Sequence, residues 1–169
     1  MLTTSLLMFT MMALTRANDI SSISDVTGSS FGPVPCPQNW TEYNDHCFQY
    51  VARNLSWAKA QKNCQSLNAN LASIHSVEEY QTIQGLIMEI TAQDTQTWIG
   101  GTNCEEEDSW LWIDNTYFKY KAWCEGDPGG FEKRQCCLQI NYGDNKCWHA
   151  AKCLTSLPSM CVKKPTVNA

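Results

Sequence analysis

The sequence predicts an α+β domain in which two helices pack on antiparallel sheets with long loops, stapled by five disulfides. Three observations carry this: two helical stripes early in the chain, short aromatic strands after them, and an even count of ten cysteines in 169 residues. The segment Cys47-Phe48-Gln49-Tyr50-Val51 has the aromatic, β-favouring character of a strand, and Cys36 upstream is placed to close a short hairpin back onto it. Ser56 then precedes Trp57, Ala60, Cys64 and Leu67, a three-and-four spacing that predicts a helix over 57–67, with Ser56 as N-cap and Asn68 as a left-handed stop. The apolar run Leu71-Ala72-Ser73-Ile74 reads as a short strand. Ser76 and Glu79 have capping-box spacing, and Val77, Tyr80, Ile83, Ile87 and Ile90 form the stripe of a second helix. Beyond it, Thr97-Trp98-Ile99-Gly100, Trp110-Leu111-Trp112-Ile113, Cys137-Leu138-Gln139-Ile140 and Met160-Cys161-Val162 read as strands separated by turn residues.

The length suits one domain with short extras. Met1 to Ala17 is uncharged and apolar up to Thr15-Arg16-Ala17, which reads as a secretory signal peptide lacking the usual basic start. A membrane anchor would need about 20 apolar residues, and Thr3, Thr4, Ser5 and Thr10 interrupt this run. Residues 18–35 are rich in Ser, Gly, Asp and Pro and read as a flexible leader, 36–163 as the domain, and 164–169 as a tail. Loss of Arg16 with the signal would leave 11 of the 12 basic side chains against 17 acidic ones, a charge of −6. Such an acidic, secreted chain is expected to bind no nucleic acid and to span no membrane.

All ten cysteines follow the cleavage point, which favours disulfides over zinc, whose structural sites prefer C-x2-C pairs. Spacing alone leaves their pairing open. The stretches 104–108 and 122–135 are polar and glycine-containing, hence surface loops where binding residues concentrate. HExxH and P-loop patterns are absent from the sequence, so no enzyme is expected.

Taken in order, Leu71-Ala72-Ser73-Ile74-His75-Ser76-Val77-Glu78-Glu79, Trp98-Ile99-Gly100-Gly101 and Trp110-Leu111-Trp112-Ile113-Asp114 resemble the core signature of the C-type lectin fold. The resemblance runs from Cys36 to about Lys163, and the cysteines at 104, 124, 136 and 147 look like those of fish type II antifreeze proteins and ladderlectin-like secreted lectins. It implies the bridges Cys36 to Cys47, Cys64 to Cys161 and Cys137 to Cys153, with Cys104 to Cys136 and Cys124 to Cys147 as the antifreeze-type additions.

Sugar-binding members of that family hold calcium with Glu-Pro-Asn or Gln-Pro-Asp, a later acid and a Trp-Asn-Asp strand, vicinal sugar hydroxyls filling the ion's open positions. The matching loop here is Glu125-Gly126-Asp127-Pro128-Gly129. Asp127 and Pro128 fit, Gly129 brings no oxygen, Gln135 stands for the later acid, and Trp148 is followed by His149 and Ala150 in place of the donors. The candidate ligand loop is therefore Glu125, Asp127, Pro128, Gln135, Trp148 and His149, with no resident metal expected. Glu125, Glu132, Asp144 and Asn145 lie in the same loops as donors for a shifted calcium site, against the plainer reading of a solvated acidic surface like Glu105-Glu106-Glu107-Asp108. Trp98, Trp110 and Trp112 read as core, whereas Trp148 and Trp123 flank the loop as candidates for ligand contact. The sequons at Asn39 and Asn54 mark candidate N-glycans, with Asn54 in an exposed link and Ser56 shared with the helix cap. Three partners suit such a module: a glycan or comparable surface without calcium at the usual place, an ice surface, or a protein held by the loops.

Overall fold

The computed structural model describes residues 34–106, 109–129 and 135–166. The signal segment, the leader through residue 33, Glu107, Asp108, Glu132 and the last three residues of the tail lie outside them. Ten elements follow in chain order: β1 (Thr41–Tyr43), β2 (His46–Leu55), α1 (Trp57–Ser66), β3 (Asn70–Leu71), α2 (Val77–Thr91), β4 (Thr97–Thr102), β5 (Leu111–Trp112), β6 (Gln135–Tyr142), β7 (Cys147–Lys152) and β8 (Leu157–Lys163).

The helices start and stop largely where their signals stand. In α1 the chain turns out at Leu67 and Asn68 takes the left-handed φ of 54°, but Ser56, although at the N-cap, makes no side-chain capping bond. In α2 the Ser76 hydroxyl accepts the Glu79 N–H at 3.1 Å, while the Glu79 carboxylate reaches the N–H of His75 at 2.6 Å. The capping box is thus closed one residue earlier than its usual form. Tyr80, Ile83 and Ile87 are buried as the stripe predicts, whereas Val77 and Ile90, in the first and last turns of the helix, are exposed.

The strands form one eight-stranded sheet in the order β1-β2-β8-β4-β6-β7, with β3 on β8 and β5 on β4. It is mixed rather than wholly antiparallel, because β8 lies antiparallel to β2 and parallel to β4 at Trp98 and Ser159. Alternation within a strand reports which face is buried and says nothing of the direction of its neighbour. Of the expected strand Leu71–Ile74, only Leu71 pairs as strand; Ala72, Ser73 and Ile74 are buried coil. The Ala72 backbone still spends both groups, donating to Met160 O and accepting from Gly100 N, each at 2.8 Å.

Strand β4 is buried at every residue and carries the packing of both halves of the core. Trp57 at the start of α1 donates its indole N–H to Ile99 O at 2.8 Å, and Trp98 donates its own to Leu55 O at 2.9 Å. Two large aromatic bodies are thereby buried with their polar edges satisfied. The glycine pair that follows is dictated by close approach. A Cβ on Gly100 would stand 2.6 Å from Leu71 O, and one on Gly101 would stand 2.5 Å from Leu138 Cδ2.

All ten cysteines are paired as the resemblance implies: Cys36–Cys47, Cys64–Cys161, Cys104–Cys136, Cys124–Cys147 and Cys137–Cys153. The four sulfurs of Cys104, Cys136, Cys137 and Cys153 crowd within 4.8 Å of one another, yet each is already bonded, so they offer no thiolate to a metal.

Candidate functional site

Strands β6 and β7 form a hairpin whose turn carries Gly143 and Lys146 at positive φ. Against the outer side of β7 lies the segment 122–124, strapped by Trp148 N to Ala122 O at 2.8 Å, Cys124 N to Trp148 O at 2.9 Å, and the Cys124–Cys147 bridge. Directly after the strap the chain reverses: Asp127 N donates to Cys124 O at 3.0 Å, and Gly126 sits at φ +83°, the third-position geometry of a type II turn. The reversal aims Asp127 back at β7, and the Asp127–Pro128 peptide is cis.

Both oxygens of Asp127 are spent there. Oδ2 lies 2.8 Å from His149 Nδ1, and Oδ1 accepts the Ala150 N–H at 3.3 Å. An ionised carboxylate only accepts, so Nδ1 carries the hydrogen. The His149 ring lies flat on Tyr142, centroids 3.8 Å apart and planes within 11°. Asp127, His149 and Tyr142 thus form one continuous polar-aromatic unit on the hairpin.

The expected site residues separate into those that meet here and those that do not. Glu125, Pro128 and Gly129 are exposed on the loop beside Asp127. Gln135 opens β6 in register with Lys152, half-buried, and makes no hydrogen bond to Asp127 or His149. Asp144 and Asn145 are exposed in the hairpin turn and do not bond to Asp127. Trp148 is corrected outright. Its side chain is fully buried, surrounded by Tyr80, Trp112, Phe118, Tyr120 and Trp123 at 5.5–6.0 Å between centroids, and offers no face to a sugar. Its neighbours on β7 alternate outward, which puts His149 at the surface and Trp148 in the core. Trp123 is half-buried in the same cluster, 4.7 Å from the Trp110 ring. Tyr142 and the Ala150 N–H were not foreseen, because the hairpin register that places them is not written in either strand alone.

The residues at the calcium-matched positions do not fit the ion. Calcium takes about six to eight oxygens, whereas the one carboxylate here is held by two donors of the protein itself, and Gly129 and Ala150 bring no side-chain oxygen. Both sequon asparagines are exposed. Asn54 lies inside β2 rather than in a link, at its register shift between Val51 and Leu55, and the Ser56 hydroxyl is not engaged as a cap.

A serine, a histidine and an aspartate also meet near the start of α2, in an order unsuited to catalysis. Ser73 Oγ donates to Asp114 Oδ2 at 2.5 Å, and His75 Nε2 lies 3.0 Å from that same Oγ. A nucleophile needs the histidine as its base with the acid behind the histidine; here the serine hydroxyl donates to the acid directly, and Ser73 is buried.

This disulfide-framed module presents the Asp127 loop beside the β6–β7 hairpin. The comparisons give that module its family. The Lectin C-type domain matches residues 53–163. A type-2 ice-structuring protein of Osmerus mordax is 40% identical over 166 residues, covering 96% of this chain and 93% of that protein. Ladderlectin of Oncorhynchus mykiss is 36% identical over 129 residues, covering 76% of this chain and 68% of it. Among solved structures, the herring type II antifreeze protein superposes with a TM-score of 0.74 at 38% identity, covering 78% of this chain and all of that one (100%). The chain belongs to the C-type lectin family, and it is a C-type-lectin-like binding protein.

Proposed function

We propose that this chain is a secreted recognition protein that binds a carbohydrate or comparably repetitive surface through the Glu125–Gly129 loop and the outer face of β7, without calcium at Asp127. The observation that carries the reading is the doubly bonded Asp127 carboxylate. In a calcium-dependent site the ion itself orders the loop; here His149 and Ala150 do so, and the ligand-facing surface is set in advance. Glu125 and the backbone of 128–129 then offer acceptors and donors to hydroxyl groups, and the Tyr142 and His149 rings offer a partly exposed stacked edge. The inverted Ser73, His75 and Asp114 order supports a non-catalytic role. Among the described residues no helix is long and apolar enough to cross a membrane. A glycan array probed with and without calcium tests the proposal: binding that persists in chelator is expected, and a blank array in both conditions overturns it.

Ice binding is the second reading, favoured by the identity to an ice-structuring protein along nearly the whole chain. Thermal hysteresis and faceted ice crystals in purified protein would establish it, and their absence would remove it.

A further inference from the structure

From residue 46 to residue 77 the sequence contains no Asp or Glu, and Arg53, Lys59 and Lys62 stand in that run. The fold gathers them. Lys59, Lys62, Asn63 and Ser66 follow the i, i+3, i+4, i+7 spacing of one helix face, while the other face of α1 buries Trp57, Ala60, Gln61 and Cys64. Across from that polar face runs the end of β2, which contributes Arg53 and Asn54. Together they line an open groove of about 420 Å³. The Arg53 guanidinium is held across the groove by a 2.9 Å hydrogen bond to Asn63 Oδ1, and Ser66 Oγ fixes the same turn by donating to Asn63 O at 2.6 Å. Among the described residues no carboxylate forms an ion pair with any of the three cations.

We propose that this groove is a second binding site, which takes a saccharide bearing sulfate or phosphate groups. The cations run against the net charge of the whole chain, −5; a net charge of that size already favours solubility, and adding cations lowers it. Three cations on one groove together attract an anion that they can share. Ammonium and guanidinium groups match the tetrahedral oxygens of sulfate and phosphate, and the Asn63 amide with the Ser66 hydroxyl matches sugar hydroxyls. The groove lacks an aromatic face on which a nucleobase could stack, and Leu55 is its only apolar lining residue, too little for insertion into a lipid surface. The site is independent of the Asp127 loop.

The test is binding of a heparin-derived tetrasaccharide, a phosphomannan and unmodified mannan to the full disulfide-bonded chain, read by calorimetry at low salt and at about 0.5 M salt. Preference for heparin assigns sulfate and preference for phosphomannan assigns phosphate; either supports the site, provided that salt weakens it. Lys59→Gln with Lys62→Gln should lower that affinity by about tenfold or more, whereas Lys119→Gln with Lys121→Gln, also exposed, should not. An unchanged melting temperature in each double variant separates lost binding from lost folding. Equal binding of all three saccharides, or binding to none, overturns the proposal. So does full affinity in the Lys59/Lys62 variant, or loss of anionic binding in a folded Asp127→Asn variant. A blank glycan array alongside intact heparin binding would remove the loop reading and leave this one standing.

Discussion

Asp127 Oδ2 lies 2.8 Å from His149 Nδ1 across 22 residues of sequence, with the Ala150 N–H on the other oxygen at 3.3 Å. The two contacts tie the turn after Cys124 to β7. Side-chain exposure is 13% at Asp127 and 21% at His149, so the interaction is largely shielded from solvent.

Calcium should leave the melting temperature of the protein unchanged, whereas an ion held at 100 times its Kd would add about 2.7 kcal/mol. Scanning calorimetry with calcium and with chelator decides this. Asp127→Ala leaves two donors without their acceptor and should cost about 1–3 kcal/mol. His149→Ala should cost less, since the Ala150 N–H remains bonded. The double variant should fall short of the sum by about 0.5 kcal/mol or more, and strict additivity would show that the two groups do not act together.

The helices and most strands were legible because each rests on a local signal, and the disulfide partners only through the family resemblance that the order of a few motifs carries. Ser56, Ser76 and Asn68 stand beside the residues they terminate, and the WIGG glycines mark a close approach that admits no Cβ. Long-range geometry was not legible. Trp148 sits next to the site in sequence and under it in space, because period-two alternation turns consecutive residues to opposite faces. That Asp127 would bond His149 depends on the turn at Gly126 and on the strap across β7 together. The basic groove was hidden differently: a whole-chain charge of −5 masks an acid-free run of residues.

Of the five bridges, Cys64–Cys161 should matter most. It spans 97 residues, against 16 for Cys137–Cys153. Chain entropy values these at about 4.7 and about 3 kcal/mol. Replacing each pair by alanine and following urea unfolding should therefore place the Cys64/Cys161 variant lowest. A larger loss from Cys137/Cys153 would mean that native packing rather than loop closure sets the order.

Gly101→Ala should destabilise by about 1–3 kcal/mol through overpacking, since its Cβ would meet Leu138 Cδ2 at 2.5 Å and Leu138 Cβ at 2.9 Å. Leu138 is itself fully buried and cannot swing away. Leu138→Ala alone opens a cavity costing about 2–5 kcal/mol. Combined, the two changes should cost less than their sum, because the new methyl enters the space the leucine vacates. Additive losses would mean that the strain of the new methyl is not relieved at Leu138.

Alkaline pH should unfold the protein through its tyrosines. Burial raises Tyr80 well above the ordinary 10.0, and burial is also the largest cause of the upward shifts of Tyr50 and Tyr120. Each is neutral in the native state and ionises more readily once unfolded. Their contribution is therefore complete below about pH 10, and stability falls as pH rises above it toward the raised native values, because the unfolded chain binds fewer protons there. Tyr80→Phe isolates the largest share. The phenyl ring keeps its edge contact with Trp148, and the Lys146 carbonyl that Tyr80 bonds retains Gln84 Nε2 at 3.1 Å. At neutral pH the variant should lose only about 1 kcal/mol. Urea unfolding at about pH 7 and about pH 10.5 should then show a shallower decline in Tyr80→Phe than in the parent, and an equal decline in both would mean that the Tyr80 proton is released without opening the fold.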